Sequence, residues 1–370
     1  MKKVLITGSK GFVGSNLIAD LKYNEDIQIL EYFRETDESL LDQYTKECDF
    51  IFHLAGVNRP ENDDEYMKGN FGFTTKLLDL LKENKNKAPI VFTSSIQAKL
   101  DNPYGKSKKM AEDYLFEYGE ENDVEVYIYR LTNLFGKWSK PNYNSVVSTF
   151  CYNIGHDIDI KINDSKAELE LCYIDDVLEE FNKALKDNPT KNDKFCMVPV
   201  THQVKLGRLA DLIYSFKNIR EDNYLPDFND GFVNKLYSTY LSYLPKNNFS
   251  YPLEMHKDDR GSFTEFIRTK TNGQFSVNIS KPGVKKGEHW HHTKNEKFLV
   301  VSGKGIIKFR KIDEDEIVEY RVSGKKLEVV DIPPGYTHNI INTGETDMVT
   351  LMWVNECYDP KNPDTYYLEV

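Results

Sequence analysis

A chain of 370 residues exceeds the usual size of a single hydrophobic core and predicts two domains. Its formal charge of −11 and pI near 5.4 create a field that repels polyanions, which argues against nucleic acid or anionic lipid as partners. No apolar run reaches the roughly 18 to 20 residues of a membrane span, and Met1-Lys2-Lys3 leads directly into a short apolar run with no signal-peptide cleavage pattern, so a cytoplasmic protein without a membrane partner is expected. Five cysteines, Cys48, Cys151, Cys172, Cys196 and Cys357, have no zinc-site spacing and read as reduced small hydrophobes.

In chain order, Val4-Leu5-Ile6, Ile51-Phe52-His53-Leu54, Ile90-Val91-Phe92 and Val126-Tyr127-Ile128-Tyr129 alternate with helical stretches. Apolar strands alternating with helices predict βαβ units and a doubly wound, Rossmann-like parallel sheet. From Phe263 to Val354 the pattern changes to short strand candidates broken by Gly, Pro and Asn, the signature of an all-β sandwich or barrel. The seam is expected at Pro245-Lys246-Asn247-Asn248, giving domains over 1–245 and 246–370.

Thr7-Gly8-Ser9-Lys10-Gly11-Phe12-Val13-Gly14 follows a predicted strand and opens an amphipathic helix. Glycines there allow a tight turn and close approach to a pyrophosphate, and the helix N-terminus supplies free N–H groups to that anion. Further on, Tyr104 and Lys108 stand four apart, on one face of a helix. An adjacent ammonium would draw the tyrosine pKa down from about 10 toward useful acid-base chemistry. A serine hydroxyl from Ser94-Ser95 would hydrogen-bond the reacting oxygen.

Residues 1–245 resemble the extended short-chain dehydrogenase/reductase family. The resemblance rests on the glycine turn, His53-Leu54-Ala55-Gly56, Asn70, Ser95…Tyr104…Lys108, Arg130-Leu131-Thr132-Asn133 and Tyr173-Ile174-Asp175-Asp176-Val177. It implies that Tyr104 is the proton donor or acceptor, that Lys108 binds the nicotinamide ribose and tunes the tyrosine, and that Ser95, with Ser94 as alternative, orients a substrate carbonyl. Gly8, Gly11, Phe12, Val13, Gly14, Leu54, Ala55 and Gly56 would line the cofactor site, and Asn133 would contact substrate. Only eight residues separate Ser95 from Tyr104, fewer than the family usually has. Cofactor choice falls near the end of the second strand, in Ile29-Leu30-Glu31-Tyr32-Phe33-Arg34. Arg34 at the deciding position favours NADPH, whereas a shift of register toward Glu31 would favour NADH.

In the second half, His289 and His291 lie two apart on a predicted strand and project to one face, while Glu296 and His338 can join them once strands close. Three imidazoles and a carboxylate suit a borderline divalent ion such as zinc, nickel, iron or manganese. The run Gly283 through Gly303, with Pro333-Pro334-Gly335-Tyr336-Thr337-His338 and Asn342, resembles the metal-binding cupin family and implies an all-β jelly-roll barrel. Asp259-Arg260-Gly261-Ser262-Phe263 with Gly287-Glu288-His289 is also similar to cupin deoxysugar epimerases, which implies that Arg260 grips a nucleotide phosphate and that His289 is a base as well as a candidate ligand.

Over its whole length the chain resembles the bifunctional CapF-type reductases of bacterial capsular polysaccharide synthesis, through His53 to Pro60, Asn102 to Gly105, Asn133 to Trp138 and His289 to Glu296. That resemblance implies a UDP-linked 2-acetamido-2,6-dideoxy-hexos-4-ulose as substrate, NADPH as reductant and a 2-acetamido-2,6-dideoxy-L-talose product on the route to N-acetyl-L-fucosamine. It further implies a zinc-bearing cupin that epimerises carbon 3, and a homodimer.

Overall fold

The first strand, β1 (Lys2–Thr7), is apolar on both faces because it is covered on both. It leads through α1 (Phe12–Leu21), β2 (Ile27–Tyr32), α2 (Glu38–Glu47) and β3 (Phe50–His53) to a short turn α3 (Asp64–Tyr66) and a π-helical turn over Met67–Gly72. Then come α4 (Phe73–Glu83), β4 (Ile90–Ser95), α5 (Pro103–Asn122) and β5 (Val126–Leu131). These are followed by β6 (Asn133–Phe135), α6 (Val146–Gly155), β7 (Glu168–Tyr173), α7 (Ile174–Leu185), β8 (Lys191–Asn192), β9 (Phe195–Cys196), β10 (His202–Lys205), α8 (Leu206–Asp222) and α9 (Gly231–Leu241). The computed structural model describes all 370 residues.

One seven-stranded sheet runs in the order β2-β1-β3-β4-β5-β9-β8, parallel from β2 through β9. The order turns about β1, so the crevice beyond the carboxyl ends of β1 and β3 is where a doubly wound sheet takes its ligand. Val4, Ile6, Phe50, Phe52 and Val91 pack against Leu17, Val177 and Phe181 on one face. Leu5, Ile51, Ile90 and Phe92 pack against Leu41, Leu77, Leu81 and Leu115 on the other. Each such side chain, fully buried, contributes roughly 1.5–3 kcal/mol.

The later strands are β11 (His256–Asp258), β12 (Gly261–Arg268), β13 (Gln274–Ser280), β14 (Lys285–Trp290), β15 (Glu296–Ser302) and β16 (Lys304–Lys311). After them come β17 (Ile317–Ser323), β18 (Val329–Ile332), β19 (Tyr336–Asn342), β20 (Met348–Val354) and β21 (Tyr366–Tyr367). They form two antiparallel sheets, β11-β12-β13-β20-β15-β18 and β17-β16-β19-β14-β21, around Phe298, Val300, Ile307, Phe309, Val322, Ile332, Ile340 and Met348. An α/β unit with a parallel sheet and an all-β unit are thus both present, as the patterning predicts.

The contacts divide the chain into Met1–Tyr214 with Lys235–Pro245, and Ser215–Asn234 with Lys246–Val370. The single seam expected at Pro245 is therefore not what the contacts draw. Ser215–Asn234 goes with the β unit because Arg268 N–H donates to the Asn223 carbonyl (2.8 Å) and Leu225 N–H to the Arg268 carbonyl (2.8 Å), a backbone pairing with no sequence signal. No helix is long and apolar enough to cross a membrane, and all five cysteines are free thiols, four of them buried.

Asn342 closes β19 from the interior. Its amide donates to the Ser280 and Thr346 carbonyls (2.8 and 2.9 Å), and its oxygen accepts the Gly344 N–H (2.9 Å). Asn342→Ala strands these buried groups and should lower the unfolding free energy by about 2–3 kcal/mol, read as a lower urea midpoint at unchanged slope.

Candidate active site

The glycine turn sits at the carboxyl end of β1 and is built by close approach. Gly8 has φ +72°, and a Cβ on it would lie 2.8 Å from the Ala55 nitrogen, while a Cβ on Gly14 would meet the Gly8 carbonyl oxygen at 2.3 Å. No side chain caps the helix start at Gly11, which leaves the N–H groups over Phe12 and Val13 for an anion. Leu54, Ala55 and Gly56 follow β3 on the same rim. A Cβ on Gly56 would stand 2.9 Å from Asn70 Oδ1 and 3.1 Å from Lys108 Nζ, so these predicted cofactor residues do come together around a cradle that only glycine leaves open. Arg34 is exposed in the turn just beyond β2, and the Glu31 carboxylate faces Lys10 Nζ at 3.6 Å.

The short path from Ser95 to Tyr104 is a 3-10 turn over Ile96–Lys99 packed on the first turn of α5. Asn102 caps that helix by accepting the Gly105 N–H (2.7 Å), and a Cβ on Gly105 would clash with the Gln97 and Leu100 carbonyls at 2.3 and 2.5 Å. Glycine at 105 is what lets so short a loop close.

The two serines have different surroundings. Ser94 is buried and donates to Glu112 Oε1 (2.5 Å), a carboxylate also held bidentately by Arg130 (2.9 and 2.6 Å). Ser95 accepts the Gln97 N–H (3.2 Å) and faces Tyr104. Burial pushes the Tyr104 phenol up from its ordinary value, and the Ser95 hydroxyl pulls it back. The Lys108 ammonium donates to the Thr93 carbonyl at 3.0 Å, and burial, not the lysine, dominates the phenol. Burial also draws Lys108 down to about 8, opposed by the Glu112 carboxylate. Asn133 opens β6 with its amide donating to the Glu170 carbonyl (3.2 Å); no hydrogen bond links it to the Tyr104 group.

Behind these residues runs a buried polar chain that residue spacing does not reveal. Thr7 Oγ1 and Thr74 Oγ1 each lie 2.8 Å from a ring nitrogen of His53. Thr74 donates to the Asn70 carbonyl (2.7 Å), the Asn70 amide to Ser107 Oγ (2.9 Å), and Ser107 to the Tyr104 carbonyl (2.8 Å). Since Thr74 spends its proton on Asn70, His53 carries its hydrogen on Nε2 and accepts from Thr7 at Nδ1.

In the β unit, His289, His291, Glu296 and His338 offer ligand atoms that all lie within 4.8 Å of one another. Glu296 Oε2 stands 3.4 Å from His338 Nε2 and 3.8 Å from His291 Nε2. Four ligands at about 2.0–2.1 Å from a zinc ion would be about 3.3–3.5 Å apart. His291 Nε2, Glu296 Oε2 and both His338 nitrogens are buried without hydrogen-bond partners, which a polar interior does not leave unless something else satisfies them. Burial opposes ionisation of Glu296, yet His291 and His338 hold it well below the usual carboxylate range; burial and His338 draw His289 down to about 4. The donor set therefore fits a divalent cation. Simple alternation is not what unites His289 and His291: β14 bulges at Glu288 (φ +62°), which sets His289 opposite His338, and His291 lies just past the strand end.

These four line a cavity of about 750 Å³ together with Arg260, Lys286 and the inward face of β13. Arg260 is paired with Asp258 (2.9 and 2.6 Å). On β13 the buried positions are Gln274, Ser276, Asn278 and Ser280, a polar interior face whose inverted alternation was present in the sequence. With chelator-treated protein, zinc at about 100 times its Kd should raise the thermal midpoint by about 5–10 °C, and His338→Ala should lose that response.

Over residues 4–195 the chain matches the NAD dependent epimerase/dehydratase family, and over 256–366 the polysaccharide biosynthesis C-terminal domain. It is 46% identical over 368 residues to the UDP-2-acetamido-2,6-beta-L-arabino-hexul-4-ose reductase of Pseudomonas aeruginosa, covering 100% of this chain and 99% of that protein. The crystal structure of the capsular polysaccharide assembling protein CapF from Staphylococcus aureus is 58% identical and superposes with a TM-score of 0.94, covering 99% of this chain and 100% of that one. A UDP-glucose 4-epimerase from Thermotoga maritima, 18% identical with a TM-score of 0.52 over 58% of this chain and 82% of its own, shares the fold alone. A nicotinamide-dependent fold, a full-length relative and a shared second domain converge: the chain belongs to the NAD dependent epimerase/dehydratase family, as a CapF-type member carrying a polysaccharide biosynthesis C-terminal domain.

Proposed function

We propose that the chain is an NADPH-dependent reductase of a UDP-linked 2-acetamido-2,6-dideoxy-hexos-4-ulose, with a cupin unit that epimerises carbon 3. The product is then UDP-2-acetamido-2,6-dideoxy-L-talose for capsular polysaccharide synthesis. The observation that carries this reading is the match through both units to the Pseudomonas aeruginosa reductase. The Ser95, Tyr104 and Lys108 grouping supports a reductase, and the four-ligand cluster in a polar-walled cavity supports a second, metal-assisted step.

In the reductase unit, the bound nicotinamide would supply hydride to carbon 4. Tyr104 donates its phenolic proton to the carbonyl oxygen, and Ser95 hydrogen-bonds that oxygen. Lys108 holds the ribose and adds positive charge beside the developing oxyanion. Exposed Arg34 favours NADPH, and the engagement of Glu31 by Lys10 leaves that carboxylate less suited to a ribose hydroxyl. In the β unit, a divalent ion held by His289, His291, Glu296 and His338, zinc by preference, would supply Lewis-acid charge next to the carbon-4 carbonyl. His289 is at once a candidate ligand of that ion and the candidate base for the carbon-3 proton. Arg260 lines the same cavity, which supports its role as the phosphate contact. A cytoplasmic location and a homodimer belong to the same reading.

NADPH absorbance followed with freshly generated UDP-4-keto-6-deoxy-HexNAc, in ordinary and heavy water, tests both halves. NADPH oxidation with one solvent deuterium at carbon 3 is expected; absence of oxidation removes the reductase, and oxidation without deuterium removes the epimerase. Tyr104→Phe should slow hydride transfer by about 10²- to 10⁴-fold and leave carbon-3 exchange intact.

A further inference from the structure

Residues 363–370 bond to the metal-ligand cluster at successive positions. The Asp364 carboxylate accepts the N–H groups of His292, Thr293 and Lys294 at 3.0, 2.9 and 2.9 Å, three consecutive donors in the loop joining His291 to Glu296. The Asp364 carbonyl accepts from His291 Nδ1 at 2.6 Å. A carbonyl cannot donate, so the ring hydrogen of neutral His291 is on Nδ1 and its lone pair on Nε2, the atom facing Glu296. Buried Lys294 donates to the Pro363 carbonyl at 2.5 Å.

The same segment then holds the bulge. Tyr367 and Tyr366 of β21 pair with His289 and Trp290, Leu368 N–H donates to the Glu288 carbonyl (3.0 Å), and Val370 N–H to the Glu288 carboxylate (2.8 Å). Asp364 itself has φ +37°, a left-handed conformation that aspartate tolerates better than most non-glycine residues. Surface decoration would not bond both sides of one ligand set, the His291–Glu296 loop and the strand bearing His289.

We propose that Pro363–Val370 is a positioning strap for the metal centre, which sets the His291 tautomer and holds the two ligand-bearing segments in register. The proposal rests on the metal reading above and deepens it. Outer groups of this kind typically change metal affinity by about 10- to 100-fold.

Two measurements on the full chain test it. Nitrogen-15 chemical shifts of the imidazoles in chelator-treated protein report the His291 tautomer with no metal needed. Wild type should show His291 protonated at Nδ1, and Asp364→Ala should show averaging between tautomers. Zinc affinity by competition with a chromophoric chelator should fall about 10- to 100-fold in Asp364→Ala and by less in Asp364→Asn, while the far-UV circular dichroism and thermal unfolding stay those of the wild-type chain. A chain ending at Asn362 should bind zinc no better than Asp364→Ala. Wild-type affinity in Asp364→Ala, or an unchanged His291 tautomer, overturns the strap. If wild type binds no divalent ion, the metal reading fails instead, and the tautomer measurement still decides whether the strap orders His291.

Discussion

The reductase-like unit depends on one buried hydrogen-bond chain, from Thr7 through His53, Thr74, Asn70 and Ser107 to the backbone of Tyr104. It crosses from β1 to β3, passes through α4 and the π-helical turn that opens it, and ends on α5. These are the elements whose ends carry the glycine turn, the Leu54-Ala55-Gly56 rim and Tyr104. His53 is the joint. Burial and the nearby Lys108 hold it down to about 3, so it is neutral, and a neutral imidazole can accept from one threonine while donating to the other. A charged ring would need two acceptors and would sit beside a buried ammonium.

The same economy explains the pair of adjacent serines. Parallel pairing sets Ser94 opposite Arg130 and Ser95 opposite Leu131. Successive side chains leave a strand on opposite faces, so one hydroxyl enters the interior to meet Glu112 while the other turns to the rim. The Glu112–Arg130 pair is almost fully buried on the carboxylate side, and removing either partner would leave a charge without its complement. Its cost is justified by what it anchors, the last residues of β4.

What could be read from the sequence was what depends on near neighbours. Gly8, Gly11 and Gly14 sit on a strand-turn-helix, and Tyr104 and Lys108 share a helix face; the candidate ligands His289, His291, Glu296 and His338, which the fold brings within 4.8 Å of one another, were named by residue type and motif. What could not be read was long-range. Which of the two serines turns inward is fixed by Glu112 and Arg130, residues 18 and 36 positions from Ser94. The path by which His289 reaches His338 depends on a bulge at a glutamate that no turn propensity marks. Asp364 lies 73 positions from the His291 ring it orders. The Tyr104 environment also differs from the expectation of a lysine-lowered phenol, because burial acts on both groups at once and spacing carries no information about burial.

The two units hold their chemistry in different ways, and the difference follows from their sheets. A parallel sheet collects every strand's carboxyl end on one rim, so residues from β1, β3, β4 and α5 meet there by topology alone, and local motifs suffice. Antiparallel strands alternate direction, and in this unit the cavity forms between the sheets, on inward faces. That is why β13 presents Gln274, Ser276 and Asn278 to a cavity where apolar residues would otherwise pack, and why a bulge is needed to turn His289 inward. On the proposed chemistry both arrangements serve one functional group. A carbon-4 carbonyl is the acceptor for hydride and also the group that acidifies carbon 3, so the glycine-lined rim and the polar-walled cavity answer two demands of the same ketone.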